Sequence, residues 1–415
     1  MDGKLTRMEH SGVPARAILV INAGSSSIKF ALFGWDQQLA DTAVLHGQID
    51  GIGEHPRFTA RDAQGGCPGA SGASYKPRRD HDPHGEALRF LLDWLETHAA
   101  HWQVAAAGHR VVHGGEGYSD PVVVSDKTLS YLETLVPLAP LHQPHNLAAI
   151  HALRRTAPAL PQVACFDTAF HRSQDVLAQM FALPQEYTQA GIKRYGFHGL
   201  SYEHIASVLP SYLGELAGGR VVVAHLGAGA SMCALLDRKS VMSTMGFTPL
   251  DGLVMSTRCG ALDAGVVLHL LKHHGMHAQA IEDLLYHRSG LLGVSGLSGD
   301  MRVLLASQEV AARTAIELFV YRASLALGSL AAALGGLDAL VFTGGIGENS
   351  AEIRQLISHK AGWLGVRLDE AANSENASRI SLPSSPVTTL VIPANEERII
   401  AEHTAALLIR ENVWR

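Results

Sequence analysis

Two stretches far apart in the chain share one pattern of apolar and small residues. In residues 20–30 an apolar run breaks at Gly24 and a row of serines, then turns apolar again. In residues 223–232 the break comes at Gly227-Ala228-Gly229. Each pattern predicts two strands joined by a tight hairpin. Because small residues let backbone N–H groups approach phosphate oxygens, the repeat predicts two similar domains that face each other across a nucleotide.

Strand-like apolar runs alternate with helical periodicity along the rest of the chain, which predicts the α/β class. The helix over 201–209 is predicted to stop at Pro210, because proline cannot continue a helix. The other predicted elements are strands over 17–22, 29–34, 104–109, 162–166, 220–225, 232–236, 339–343 and 388–392, and helices over 88–95, 147–154, 264–273, 351–356 and 397–408.

Length and composition limit the classes of function. A chain of 415 residues predicts two domains, and 47% hydrophobic with 17% charged residues excludes wholesale disorder. The net charge of −6 provides no basic footprint for nucleic acid. Four cysteines without paired spacing predict a reducing cytoplasm. The apolar stretch 316–337 is interrupted by Glu317 and Arg322, and is predicted to be a buried helix rather than a membrane span.

The same patterns predict where the domains begin and end. Residues 1–16 are polar, lack the apolar core of a signal peptide, and are predicted to be a disordered extension. The first domain is predicted over 17–167 together with 399–415, and the second over 168–398. A surface loop is predicted over 62–83, where glycine, serine, proline and charge are concentrated.

Four further clusters are candidates for chemistry, and the first two also have a plainer explanation. Arg110 lies beside glycines after a strand, which alone favours a turn with a surface arginine. Asp167 follows an apolar strand, where it either faces a ligand crevice or caps a helix. Arg258 lies in a long loop, and long loops in compact domains are often functional. Residues 342–349 predict a strand, a glycine turn and a helix that can hold a nucleotide. Ser350 replaces the third glycine of a dinucleotide fingerprint, which makes that match weak.

Taken together, these clusters closely resemble the acetokinase family, within the superfamily of actin, heat-shock chaperone ATPases and sugar kinases. The resemblance runs from residue 17 to the C-terminus. It implies two ribonuclease-H-like domains with an active-site cleft between them, a homodimer and a cytoplasmic location. It also implies reversible transfer of the ATP γ-phosphoryl to acetate with Mg²⁺, or Mn²⁺ as the alternative, by direct in-line displacement. The matching stretches are 22–29, 109–115, 140–146, 166–171, 195–200, 225–231, 245–260, 300–302, 343–349 and 393–397.

The resemblance also implies a role for individual residues. Arg110 matches the arginine that holds the substrate carboxylate, and Arg258 the one that grips the phosphoryl group in transfer. His198 matches the histidine supporting the same charge, and Asp167 the catalytic aspartate. Asn22 and Glu396 match the positions assigned to magnesium. The acyl pocket matches Val112, Leu141, Phe197 and Pro249. The ATP-binding positions match Lys29, His225, Leu226, Gly227, Ala228, Gly229, Asp300, Met301, Arg302, Gly345, Ile346, Gly347, Glu348 and Asn349.

These residue types suit the implied reaction. ATP, the carboxylate and the transferring phosphoryl group are all anionic, so catalysis needs alignment and charge neutralisation. Guanidinium groups donate paired hydrogen bonds to such oxyanions. A carboxylate acceptor has a pKa of roughly 4–5 by comparison with Asp and Glu, so it is already ionised at pH 7 and needs no general base. Asp167 is therefore expected to orient Mg²⁺, its waters or an arginine.

The sequence departs from the family pattern in two places. Ala228 stands where the family usually has asparagine, which predicts weaker or altered nucleotide binding. The family's Ser-Gly-Asp-Ile-Asp-Pro run after Arg258 is replaced by residues 259–264, so the conformation of that loop is left open. Cys259 is either a small filler or a thiol activated by the neighbouring arginine.

Two alternatives to acetate transfer remain open. Propionate or butyrate is the nearest, because one methylene is worth only about 1–3 kcal/mol in an apolar pocket. An ATPase switch of the actin or chaperone type shares the phosphate turns but does not need Arg110, His198 and Arg258 together.

Overall fold

The computed structural model describes residues 15–24, 27–52, 55–66 and 82–414. Predictions for residues 1–14, Ser25 and residues 67–81 lie outside this part. Ala15 and Arg16, expected in the extension, instead begin the first strand, where they pair with Trp102 and Gln103. The chain divides into two compact units, Met1–Phe166 with Glu397–Arg415 and Asp167–Glu396. The predicted domain limits differ from this division by one residue at the first crossing and by two at the second.

The first unit is built on an eight-stranded mixed sheet in the order β5-β4-β2-β1-β6-β8-β7, with β3 paired to β2. Strands β1, β2, β4 and β5 form an antiparallel meander, whereas β6 and β8 run parallel to β1. The strands are β1 (Ala15–Ala23), β2 (Ser27–Asp36), β3 (Gln38–Leu39), β4 (Leu45–Asp50), β5 (Arg57–Asp62), β6 (Trp102–Val111), β7 (Val122–Val123) and β8 (Gln162–Phe166).

The second unit repeats this topology in a five-stranded sheet of order β11-β10-β9-β12-β13. Here β9, β10 and β11 form the antiparallel meander, and β12 and β13 add in parallel on the other side of β9. The strands are β9 (Val221–Leu226), β10 (Ala230–Leu236), β11 (Lys239–Ser243), β12 (Ala339–Thr343) and β13 (Thr388–Val391). The duplicated α/β fold predicted from the sequence is therefore confirmed.

Helices cover the sheets of both units. Those of the first unit are Pro83–His98, Asp126–Thr134, Gln143–Thr156 and nearly all of Glu396–Arg410, with the 3₁₀ turn Val136–Leu138. Those of the second are Val176–Gln179, Gln185–Gln189, Gly199–Leu213, Ala264–His273, Ala278–His287, Gly290–Ser295, Met301–Ala306, Val310–Leu334, Gly344–Asn349, Ala351–Lys360 and Glu370–Ser374, with 3₁₀ turns at Ala169–Ser173, Gly214–Gly218 and Gly362–Leu364.

The C-terminal helix completes the first unit. A Cβ built on Gly108 in β6 lies 2.4 Å from Thr404 Oγ1 and 2.6 Å from a methyl carbon of Ile400, so only glycine allows this approach. Beyond the helix, the Trp414 ring packs on Trp35 at a centroid distance of 5.1 Å. The last segment of the chain is thus part of the first unit's core.

Every strand predicted from the sequence overlaps an observed strand, but one helix end is wrong. The helix Gly199–Leu213 continues through Pro210 and ends at Gly214, whose φ is +56°. Proline removes one N–H donor, and the helix continues for only three further residues. Gly214 N–H then donates to the carbonyl of Pro210.

One described helix, Val310–Leu334, meets the length and hydropathy expected of a membrane span. Its buried residues recur at helical spacing, as expected for a helix with one face on a core. They are Ala312, Ala315, Ile316, Phe319, Val320, Ala323, Leu327, Leu330 and Ala331.

Candidate active site

The first unit gathers three predicted site residues at the end of β1. Asn22 pairs with Lys29 across the β1–β2 hairpin, and Gly24 N–H donates to the Ser27 carbonyl, so the predicted tight turn is confirmed. The neighbouring parallel strand β6 carries Arg110, whose Nη1 donates to Asn22 Oδ1 at 3.3 Å. The Asn22 amide oxygen and the Arg110 guanidinium therefore meet at one edge of this sheet, and the exposed Lys29 lies opposite Asn22 on β2.

Asn146 braces this edge, although the sequence motifs did not single it out. Its Oδ1 accepts from the backbone N–H of Val112 at 2.9 Å, and its Nδ2 donates to the carbonyl of Ala23 at 2.7 Å. The side chain is 4% exposed. His84 Nε2 donates to the Gly24 carbonyl at 2.8 Å and holds the turn from another side. Of the predicted acyl-pocket residues, Val112 is buried here, whereas Leu141 is half-buried just before the helix that carries Asn146.

In the second unit a cavity of about 620 Å³ brings three predicted segments together. The β9–β10 turn, the helix Met301–Ala306 and the turn after β12 all contribute to its wall. A volume of this size suits a small-molecule ligand. The lining residues are Gly227, Ala228, Ser256, Gly299, Asp300, Met301, Arg302, Leu305, Gly345, Ile346, Asn349 and Ser350. The predicted positions His225, Leu226, Gly229, Gly347 and Glu348 are not among them.

Side chains hold the wall of this cavity in place. Asp300 caps the helix Met301–Ala306 by accepting from Arg302 N–H, and its carboxylate pairs with the Arg302 guanidinium at 2.6 Å. That guanidinium lowers the pKa of the Asp300 carboxyl. Ser256 N–H donates to the carbonyl of Ala228, which keeps the β9–β10 turn against the loop before Arg258.

Glu348 was predicted among the nucleotide-binding residues, but its carboxylate accepts hydrogen bonds from backbone N–H groups of the protein. Its Oε1 accepts from Gly344 N–H at 2.8 Å and from Ala394 N–H at 2.9 Å. Gly344 has a φ of +77°, and a Cβ there would lie 2.9 Å from the Leu226 carbonyl oxygen. Glu348 therefore fixes the glycine turn after β12.

A fully buried arginine lies beneath the same turn. Arg354 is 0% exposed. Its guanidinium donates to the carbonyls of Gly347 and Glu348 at 3.0 and 2.8 Å, and so satisfies the end of the helix Gly344–Asn349. The remaining donors bond to Asn373 through Oδ1 and the carbonyl, both at 2.8 Å, and to Asn376 Oδ1 at 2.6 Å. Burial lowers its pKa.

Two predicted catalytic side chains, those of His198 and Arg258, meet at Gly229. A Cβ built on this glycine lies 3.3 Å from His198 Nε2 and 3.8 Å from Arg258 Nη1. Arg258 Nη1 donates to the carbonyl of Pro249 at 3.0 Å, so the buried Pro249 lies in the loop that holds the guanidinium. Gly229 belongs to the β9–β10 turn, and the turn's other two residues line the nucleotide-sized cavity. The structure therefore places both side chains at the mouth of that turn.

His198 occupies an unusual backbone conformation. Its φ of +57° is left-handed, a region that few non-glycine residues adopt and that is often found at functional sites. The preceding carbonyl, that of the buried Phe197, accepts from His171 Nε2 at 2.9 Å, and His171 Nδ1 lies 2.8 Å from Ser240 Oγ. A Cβ on the nearby Gly196 would lie 2.6 Å from the His171 ring. Buried His171 thus supports the turn that presents His198.

Asp167 and Glu396 are the acidic residues predicted near the metal. Asp167 is 1% exposed, and its carbonyl accepts from Gly199 N–H at 2.9 Å, which ties it to the helix after His198. Thr168, rather than Asp167, is the N-cap residue of the 3₁₀ turn Ala169–Ser173. The helix-cap explanation of Asp167 is therefore wrong. Glu396 is half-buried at the first position of the C-terminal helix.

The predicted donors fit magnesium by their chemistry. Asp167 and Glu396 offer carboxylate oxygens and Asn22 offers an amide oxygen. Mg²⁺ takes oxygen ligands and is usually held by one or two carboxylates together with substrate phosphates and water. Among the described residues, no three His, Cys, Asp or Glu side chains form a metal cluster. This donor set suits a metal that arrives with the nucleotide.

Cys259 is not an activated thiol. Burial raises its pKa, in the direction opposite to the effect expected from the adjacent Arg258. Its Sγ lies 3.2 Å from the carbonyl of Gly260. The loop after it leads into the helix Ala264–His273, whose N-cap Asp263 accepts from Gly265 N–H. The missing proline at 264 therefore does not prevent an ordered helix start.

Lowering the pH from 7 to 5 is expected to destabilise the protein through three buried histidines. Burial lowers the pKa of His109, His113 and His171 from 6.5 to about 4. The unfolded chain therefore takes up these protons first. Stability is fully present above pH 6.5 and is lost as the pH falls toward 4, by about 1.4 kcal/mol per pH unit for each histidine. Urea unfolding across this range measures the slope. His109→Gln should remove one histidine's share, and an unchanged slope would contradict the assignment.

Known proteins resemble this chain over almost its whole length. The sequence profile of the acetokinase family matches residues 17–402. An acetate kinase of Rhodopseudomonas palustris is 54% identical over 402 residues, covering 96% of this chain and 98% of the relative. A propionate kinase from Francisella tularensis aligns with a TM-score of 0.86 at 35% identity, covering 94% of this chain and 99% of that one. An acetate kinase from Porphyromonas gingivalis aligns with a TM-score of 0.83 at 33% identity, covering 95% and 100%.

The profile match and the high identity agree with the geometry of each unit, from the paired hairpin turns to the His198 and Arg258 side chains beside Gly229. The chain belongs to the acetokinase family.

Proposed function

We propose that the chain is an acetate kinase, which transfers the γ-phosphoryl group of ATP to acetate and gives acetyl phosphate and ADP, reversibly. One observation carries this assignment beyond family membership. His198 and Arg258 both approach within 4 Å of one point above Gly229, in the turn that also lines a nucleotide-sized cavity. Relatives named acetate kinase support the choice of acetate.

The residues of the chain supply alignment and charge, which is what phosphoryl transfer needs. The second unit binds ATP in its cavity, with backbone N–H groups of the two glycine turns near the phosphates. Arg258 and His198 donate hydrogen bonds to the equatorial oxygens of the phosphoryl group during transfer. In the first unit, Arg110 binds the carboxylate of acetate. The Asn22 side chain accepts a hydrogen bond from one N–H group of the Arg110 guanidinium.

Acetate attacks as the carboxylate anion, so no residue has to remove a proton. Mg²⁺ would supply positive charge to the phosphate oxygens, and its candidate ligands are Asn22 of the first unit and Asp167 and Glu396 of the second. Asp167, whose carbonyl accepts from Gly199 N–H, would orient that cation or its water. The apolar side chains proposed to receive the acyl methyl group are Val112 and Leu141 of the first unit and Phe197 and Pro249 of the second.

Acyl phosphate production tests the proposal directly. The purified protein is incubated with ATP, Mg²⁺ and acetate, propionate or butyrate, and the acyl phosphate is trapped as hydroxamate. We expect the highest kcat/KM with acetate. A preference for propionate would make the chain resemble the Francisella enzyme in substrate, an alternative that the structural similarity keeps open. Folded protein that hydrolyses ATP without forming any hydroxamate would overturn the proposal and favour an ATPase switch.

Gly229→Ala is expected to lower kcat by about 10²-fold while leaving the fold intact. The added methyl group would lie 3.3 Å from His198 Nε2 and would displace the ring from the site of phosphoryl transfer. Gly362→Ala is the matched control, because a Cβ there meets nothing within 4 Å. Steady-state kinetics and thermal unfolding of both variants make the comparison. Equal kcat values in the two variants would show that the space above Gly229 is not used.

We further propose a cytoplasmic homodimer. The helix Ala264–His273 has no buried residue, and its apolar side chains Val266, Leu268 and Leu271 are 41%, 51% and 40% exposed. A second copy of the chain would cover such a face. No disulfide joins the described cysteines Cys165, Cys233 and Cys259, in keeping with a reducing compartment. Light scattering should give twice the mass of the chain, and the double variant Leu268→Glu with Leu271→Glu should give a monomer.

A further inference from the structure

A buried chain of hydroxyl groups lies behind His198. Ser231 Oγ is 2.9 Å from His198 Nδ1, and the Tyr202 hydroxyl makes a short hydrogen bond to the same Ser231 oxygen. Ser231 lies on β10, directly after Ala230 at the end of the β9–β10 turn, and Tyr202 lies one helical turn after His198. Both side chains are 0% exposed. His198 is therefore connected on its Nδ1 side to the protein interior.

The proton of each hydroxyl can be assigned by counting donors and acceptors. Ser231 Oγ is the hydrogen-bond partner that the structure gives the Tyr202 hydroxyl within the described residues. Burial raises the pKa of Tyr202 well above its ordinary value of 10, so the phenol keeps its proton. Tyr202 then donates to Ser231, and the single proton of Ser231 is directed to His198 Nδ1. A nitrogen that accepts this bond carries no proton.

The opposite arrangement is disfavoured. If His198 Nδ1–H donated to Ser231, and Ser231 donated to Tyr202, the buried phenolic proton would have no acceptor among the described residues. A buried polar group without a partner costs free energy. The Arg258 guanidinium lies within 4 Å of the same point as His198 Nε2. Its positive charge also disfavours a positive charge on the His198 ring.

We propose that Tyr202 and Ser231 are positioning residues that hold His198 as the neutral Nε2–H tautomer. The ring edge that faces Gly229 and Arg258 is then always a hydrogen-bond donor. This assignment rests on the proposed function for its catalytic meaning, because a donor at this edge serves the phosphoryl oxygens. A histidine free to exchange tautomers would present an acceptor lone pair to those anionic oxygens for part of the time.

The neighbouring histidine has a separate partner. The His225 ring packs on His198 at a centroid distance of 4.5 Å, and its Nδ1 lies 2.8 Å from Ser201 Oγ. Ser231 is therefore hydrogen-bonded to His198, and Ser201 to His225. A substitution at Ser231 removes the hydrogen bond to the His198 ring and leaves that to His225 in place.

Nitrogen-15 NMR of histidine-labelled protein tests the tautomer without any activity measurement. The signal that disappears in His198→Asn identifies the ring. We expect a pyrrole-type shift at Nε2 and a pyridine-type shift at Nδ1 in the wild-type protein. A protonated Nδ1 in the wild-type protein would overturn the inference. If the tautomer is as expected but the protein makes no acyl phosphate, the proposed function fails and the tautomer assignment of His198 stands.

Kinetics of three variants then test the consequence. Ser231→Ala should allow both tautomers in the NMR spectrum and lower kcat by about 10- to 100-fold, with little change in KM for acetate. Ser231→Thr keeps a hydroxyl and should restore the Nε2–H tautomer. Tyr202→Phe should give an intermediate loss, whereas Tyr212→Phe, an exposed tyrosine on the same helix, should behave as wild type. A Ser231→Ala protein that keeps both the wild-type tautomer and the wild-type kcat would refute the proposed positioning role of Ser231 and Tyr202.

Discussion

Replacing Arg258 with alanine is expected to lower kcat by about 10³- to 10⁵-fold, the range measured for arginines that stabilise phosphoryl transfer. The guanidinium meets His198 above Gly229 and is held by the Pro249 carbonyl at 3.0 Å. Removing the guanidinium takes away a positive charge that the fold positions for the phosphoryl group during its transfer. The binding of ATP should change little, because Arg258 is not among the residues that line the nucleotide-sized cavity.

Arg258→Lys separates charge from shape. Lysine keeps the positive charge but cannot donate two parallel hydrogen bonds to one phosphoryl group while bonding Pro249. We expect it to recover only a small part of the lost rate. Stopped-assay kinetics with saturating ATP and acetate measure kcat, and nucleotide titration measures affinity. An alanine variant with a kcat within tenfold of wild type would remove Arg258 from the mechanism.

Replacing Arg354 with alanine is expected to lower the free energy of unfolding by about 3–5 kcal/mol. Its five hydrogen bonds end on Gly347, Glu348, Asn373 and Asn376, and all of them lie in the second unit. Without the guanidinium, buried carbonyl and amide oxygens lose their donors and a cavity forms. Such losses are larger than the net worth of the bonds, because each acceptor is left without water.

The same change should weaken nucleotide binding. Two of the bonds end on carbonyls of the helix Gly344–Asn349, whose residues Gly345, Ile346 and Asn349 line the cavity. Urea unfolding gives the stability, and isothermal titration with ADP gives the affinity. Arg313→Ala, in the exposed first turn of the helix Val310–Leu334, is the matched control and should change neither quantity. If Arg354→Ala unfolds at the same urea concentration as wild type, the buried network does not stabilise this unit.

The sequence predicts the fold well because its signals are local. The hairpin turns at Gly24 and Gly227 combine apolar runs with small residues, and these alone specify strand, turn and strand. The end of the helix at Pro210 was mispredicted because an interior proline costs one backbone hydrogen bond and a clash with the carbonyl four residues earlier, but does not always end a helix. Here the helix Gly199–Leu213 continues past it to Gly214, which has a left-handed φ.

The residues of the candidate site also differ in whether the sequence predicts them. Arg110, His198 and Arg258 were assigned through the resemblance to the acetokinase family, which gave no role to Asn146 or Arg354. Nothing near Arg354 in sequence reveals that Asn373 and Asn376 return to it, since the contacts depend on how separate helices pack. Ser231 and Tyr202 are likewise ordinary residues of a strand and a helix until both meet His198. Family motifs locate the proposed site residues, and long-range packing determines the groups that hold them.

The return of residues 397–415 to the first unit has a consequence during synthesis. Ile400 and Thr404 pack on Gly108, two residues before Arg110, and Trp414 packs on Trp35. While the ribosome is still translating the second unit, this surface of the first is uncovered. The strand that carries Arg110 therefore gains this cover only as translation finishes, and a chain released early would expose this face of the first unit's sheet.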